Sequence, residues 1–145
     1  MTSHAPSPAA PFRLDPRLEA DGPALGDLAL SHLRLVDDAR FLWVVLVPRR
    51  PGLVEIIDLP AAERAVLMEE IAAVSQAVKA AGGCAKLNVA ALGNMVPQLH
   101  VHVVGRNPGD AAWPGPVFGA GVRAPLDPAE QAARIAALRH RLGLG

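Results

Sequence analysis

Gln98, His100 and His102 occupy alternate positions in the run Gln98-Leu99-His100-Val101-His102-Val103-Val104. A strand sends successive side chains to opposite faces. Leu99, Val101 and Val103 can therefore seal a core while Gln98, His100, His102 and Val104 project together from the other side. Imidazole has an unperturbed pKa of roughly 6.5, so it can serve as nucleophile, acid or base near neutral pH. Three uses fit two imidazoles placed this way. They can ligate a metal, given at least one further donor and a supporting shell. They can be bland, satisfied by backbone groups or by water. Or they can carry covalent or acid–base chemistry on a phosphoryl or acyl group.

The preceding segment favours the third use. Asn88-Val89-Ala90-Ala91-Leu92-Gly93-Asn94-Met95-Val96-Pro97 brings two amides and a turn glycine up to the histidine run. Glycine lets backbone N–H groups approach a ligand closely. Asn88 and Asn94 can donate to anionic oxygens without adding charge. Such residues also fill ordinary turns, but beside His-x-His they describe a small anion pocket facing a nucleophile. His32 is the only other histidine in the predicted sheet and no carboxylate closely follows His102, so no metal and no cofactor is expected. His4, His32 and His140 read as tail, strand and helix-surface residues.

The elements that position these residues alternate in type. Leu28–Val36 has the two-residue period of a strand, Asp37-Asp38-Ala39-Arg40 reads as a turn, and Phe41–Val47 as a buried strand paired with the first. Phe12–Leu18 reads as a short strand or turn, bounded by Asp15-Pro16. From Leu59 the period becomes helical: Leu67, Ile71, Val74 and Val78 fall on one stripe, with Pro60 in the first turn and Gly82-Gly83 as the stop. Lys86–Leu92 and Leu99–Val104 are further strands. Asp127-Pro128-Ala129-Glu130 opens a last helix whose apolar side is Ile135, Leu138 and Leu142. The order β-β-α-β-β-α predicts an α+β fold, an antiparallel sheet of about five strands with two main helices.

Composition narrows the function classes. The 145 residues suffice for one domain with a proper core. Fourteen basic and fourteen acidic residues cancel, which argues against a surface built to coat nucleic acid. Cys84 is the only cysteine, so disulfides and cysteine-built zinc sites are excluded, and it reads as a small buried hydrophobe. No apolar run has the length of a membrane span, and residues 1–11 lack a signal-peptide pattern. A disordered tail on a cytoplasmic protein is the expectation.

Asn88 through Arg106 resembles the signature of the histidine-triad (HIT) superfamily of nucleotide-binding proteins, three histidines alternating with apolar residues. Val36-Asp37-Asp38 and Trp43-Val44-Val45-Leu46-Val47-Pro48-Arg49 are similar to that family's paired strands. Leu92-Gly93-Asn94, Val96–His102 and Trp113-Pro114-Gly115-Pro116-Val117-Phe118-Gly119 resemble a bacterial branch. Gln98 stands where the family has its first triad histidine, and it can exchange hydrogen bonds but cannot titrate. The resemblance implies a HIT-like domain over 12–110, with residues 111–145 as a C-terminal segment and helix packing on the domain or on a dimer partner. It implies that His100 attacks the α-phosphorus of a purine, AMP-type nucleotide or AMP-linked molecule and forms a nucleotidyl intermediate. His102 would donate to a phosphate oxygen or the leaving group, and Gln98 would support the pair. Asn88, Gly93 and Asn94 would hold the phosphate, and Asp37, with Asp38 beside it, the ribose hydroxyls. Met95 falls where some relatives carry a serine that assists the leaving group. Two alternatives stay open: a binding module without useful turnover, and a metal-dependent enzyme using His100 and His102. The family commonly forms homodimers.

Overall fold

The computed structural model describes residues 10–145. The element order is α1 (Pro16–Ala20), β1 (Ala24–Asp27), β2 (Ser31–Leu35), β3 (Trp43–Pro48), a 3-10 turn (Ile56–Asp58), α2 (Ala61–Gly82), β4 (Lys86–Ala90), β5 (Val101–Arg106) and α3 (Pro128–Arg141). The five strands form one antiparallel sheet in the order β1-β2-β3-β5-β4, and the chain has the expected α+β fold. His4 and most of the expected tail lie outside the described residues.

Strand alternation gives the sheet two apolar faces. Leu33, Leu35, Val44, Leu46, Val101 and Val103 face α2, which returns Leu67, Ile71, Val74 and Val78, the stripe that its spacing predicts. Cys84 is buried in the same core. Trp43, Val45, Val47 and Val104 line the opposite face, covered by Leu18 from the N-terminal segment and Val117 from the C-terminal one. His102 lies on this second face, paired across the ladder with Val45 and Ala90.

The helix ends follow local chemistry. Gly83 closes α2 with φ +58°, a left-handed conformation that costs glycine little. The Asp127 carboxylate accepts the Glu130 N–H at 2.8 Å at the start of α3, with Pro128 following it. Two expected boundaries move. Leu28–Leu30 turns the chain instead of extending it, because the buried Glu70 carboxylate on α2 accepts the Leu30 and Ser31 N–H groups at 3.0 and 2.9 Å. The fifth strand is therefore β1, which the sequence pattern hides, and Asp15 caps the short helix α1 in place of a strand at Phe12–Leu18. β5 begins at Val101, so His100 belongs to the extended approach to that strand.

Candidate active site

His100 and His102 share one face with ring centroids 4.9 Å apart, nearly perpendicular. Both are buried, with only 7% and 8% of their surfaces exposed. Each ring is fixed by one neutral partner. His100 Nδ1 lies 2.7 Å from the main-chain carbonyl of Gln98, so it carries the proton and donates it there. His100 Nε2 has no hydrogen-bond partner among the described residues. His102 takes the opposite tautomer, because its Nδ1 accepts the indole N–H of Trp43 at 3.0 Å. Nε2 of neutral His102 is then a donor. Burial pushes the His102 imidazole down to about 3, helped by the nearby His100 ring and the Arg123 guanidinium. The ring is thus neutral throughout the physiological range. Side by side stand one unprotonated ring nitrogen and one N–H donor, the complement a tetrahedral phosphoryl centre needs.

The pair opens into a cavity of about 590 Å³, within the roughly 300–1,000 Å³ of small-molecule sites. Its walls come from four stretches: Arg17 and Leu18, the loop Leu92–Val96, Val117–Gly121, and Arg123, with Arg40 and Trp43 from the sheet side. Gly93 takes φ +71°, which suits a glycine in this wall. Phe118 stands edge-on to His102 at 4.8 Å and to Trp43 at 5.7 Å and so brings the C-terminal segment against the pair. Trp113 instead lies over Arg106. Three guanidinium groups, Arg17, Arg40 and Arg123, line the cavity, against one carboxylate, Asp21. Asp21 accepts from Arg123 at 3.0 Å, and Arg123 also sits over the Trp43 ring at 5.3 Å. Arg17 and Arg40 are likewise paired with carboxylates just outside the cavity, Asp15 at 2.9 Å and Asp38 at 2.8 Å, so the three arginines bring guanidinium N–H groups to the wall with their charges balanced.

Not every expected residue reaches it. Gly93, Asn94, His100 and His102 line the cavity; Asn88, Asp37 and Gln98 do not. Asn88 is on the right face of the sheet, but its Oδ1 accepts from Arg106 Nη1 at 2.7 Å. Arg106 is almost fully buried and needs acceptors. Asp110 supplies two more, at 2.8 and 3.0 Å, and the rings of Phe41 and Trp113 flank the guanidinium at 5.6 Å. The hydrogen bonds from Arg106 hold the Asp110 carboxyl far below the usual carboxylate range. Asp37 accepts the Leu126 N–H at 2.8 Å and so pins the C-terminal segment. Asp38 is fully buried; burial alone would raise its carboxyl, but hydrogen bonds from Arg40 and the Ala124 N–H hold it below its ordinary value. Gln98 meets the N-terminal segment with its side chain and His100 with its main chain.

Trp43, Arg40 and Arg123 are the functional neighbours that the sequence reading missed. The signal for Trp43 was its indole N–H, which a buried tryptophan must satisfy. Among the described residues no group of three or more His, Cys, Asp or Glu side chains could hold a metal ion, so His100 and His102 lack a third donor there.

Fold and site together define an α+β protein carrying a buried histidine pair in an arginine-lined recess on one sheet face. The HIT domain model matches residues 17–109, and the chain belongs to that family. It is 49% identical to a histidine triad protein from Bradyrhizobium japonicum, with a TM-score of 0.90 covering 92% of this chain and 99% of that one. Identity is 43% to a histidine triad protein from Marinobacter aquaeolei, with a TM-score of 0.90 over 93% and 98% of the two chains. It is also 43% to a histidine triad (HIT) protein from Sinorhizobium meliloti, with a TM-score of 0.88 over 90% and 97%. No curated protein matches the sequence. Among the described residues no helix is long and apolar enough to cross a membrane.

Proposed function

We propose that this protein binds a purine, AMP-type nucleotide and transfers or hydrolyses its nucleotidyl group through His100. The observation that carries the reading is the opposed tautomers of the pair, one set by the Gln98 carbonyl and the other by the Trp43 indole. His100 Nε2 attacks the α-phosphorus, the N–P bond forms, and the bond to the leaving group breaks with its electron pair. The positive charge that develops on the ring lies on Nδ1–H, against the Gln98 carbonyl dipole. His102 Nε2–H donates to a phosphoryl oxygen or to the departing atom. Water then attacks the same phosphorus, releasing the monophosphate and restoring His100. Gly93 and Asn94 hold the phosphate in this reading, with the arginine guanidinium groups of the wall beside it. In this reading Gln98 occupies the first triad position, and the family's homodimer is carried over with the function.

Adenosine 5′-(p-nitrophenyl) phosphate tests it, because nucleotidyl transfer releases coloured nitrophenolate. Mass spectrometry at neutral pH is expected to show an adenylyl adduct on His100, absent in His100→Ala. Tight AMP binding with neither adduct nor nitrophenolate would establish the binding-module alternative instead.

A further inference from the structure

The Gln98 carboxamide lies outside the cavity lining, and both its ends are hydrogen-bonded. Its Nε2 donates to the Arg13 carbonyl at 2.8 Å, and its Oε1 accepts the Asp15 N–H at 2.8 Å. One amide thus bonds both flanks of Leu14, as the backbone of a neighbouring parallel strand would. The segment held in this way is short and continues directly into a cavity wall. The Asp15 carboxylate caps α1 through the Arg17 N–H at 2.8 Å and accepts from the Arg17 guanidinium at 2.9 Å. Arg17 Nη1 then donates to the Met95 carbonyl at 2.9 Å, on the loop that carries Gly93 and Asn94. Leu18 packs beneath, in the core under the pocket.

We infer that Gln98 is a positioning residue: its side chain anchors residues 13–18 as a strap that forms the Arg17 wall of the cavity, while its carbonyl independently orients His100. The inference rests on the nucleotide reading of that cavity. It gives the position a function that needs no titration. The carboxamide sets how tightly a nucleotide is held, and the main chain sets how well His100 attacks. The two roles separate experimentally, because a side-chain substitution leaves the carbonyl in place.

The test uses the full chain, Gln98→Ala and the near-isosteric Gln98→Glu, which keeps an acceptor for the Asp15 N–H but loses the donor to Arg13. Hydrogen exchange of the Asp15, Leu18 and Glu19 amides is expected to accelerate in Gln98→Ala by about tenfold or more, for two lost hydrogen bonds. KM for adenosine 5′-(p-nitrophenyl) phosphate is expected to rise about tenfold while kcat stays within about threefold. Gln98→Glu is expected to fall between Gln98→Ala and the unaltered protein on both measures. Unchanged strap exchange in both variants overturns the anchor. A fall in kcat with KM unchanged overturns the positioning role and gives Gln98 a part in the chemistry. If the unaltered protein forms no adduct and releases no nitrophenolate, the transfer reading fails by itself, and the exchange rates alone then uphold or overturn the anchor.

Discussion

Acidification should destabilise this protein through a single buried ring. His102 holds its proton only below about 3 in the native state, against 6.5 for an ordinary histidine. The cause is burial first, then the His100 ring and Arg123. A native value below the unfolded one means that the unfolded chain takes up the proton first. The stability from this group is therefore complete above 6.5 and lost as pH falls toward 3. At pH 5 the unfolded chain has gained about 2 kcal/mol from protonating His102 and the native chain almost nothing; at pH 4 the difference is about 3 kcal/mol. The perturbation that isolates it is His102→Asn, whose side-chain oxygen can still accept the Trp43 N–H but does not titrate. Lost packing lowers the stability of the variant by a constant amount, and the remaining histidines are common to both proteins. Urea unfolding at pH 7.5, 5 and 4 should show the gap between the two proteins narrowing by about 2 and then about 3 kcal/mol. A gap that stays constant with pH refutes the claim that His102 is neutral and buried.

Two further substitutions probe the supports of the site. Trp43→Phe removes the indole donor to His102 Nδ1 and should cost about 1–3 kcal/mol for a buried acceptor left unpaired; imidazole nitrogen NMR should show the two neutral tautomers mixing where the unaltered protein shows one. Arg106→Met leaves Asp110 and Asn88 without their cation and should cost about 3–5 kcal/mol in denaturant unfolding. Adding Asp110→Asn to Arg106→Met should recover part of that loss by removing the stranded charge.

What could be read from the sequence was what repeats locally. The α2 stripe, the Asp127 cap, the Gly83 stop and the shared face of His100 and His102 each depend on residues close to one another in the chain, whereas Gln98 turns its side chain to the N-terminal segment. What could not be read depends on distant partners. The Trp43 indole finds His102 across 59 residues, and Gln98 finds Asp15 across 83. Asn88 has the right residue type on the right face, but the buried Arg106, four residues further along β5 from His102, claims its oxygen. Asp37 is likewise taken by the Leu126 N–H, a contact that exists only once the C-terminal segment has crossed the sheet. β1 escaped notice because it is four residues long and its pairing with β2 is irregular between Ala24 and Gly26.

Two of the walls of the recess come from segments outside the sheet. Residues 13–18 and 117–123 flank a histidine pair whose own supports, the Gln98 carbonyl and the Trp43 indole, belong to the central part of the chain. Under the proposed function, reactivity and selectivity draw on separate parts of the molecule. Exchanging either end segment for another of similar length should retune which molecules are admitted without rebuilding the reacting groups, which makes the two ends the natural place to graft a new specificity onto this scaffold.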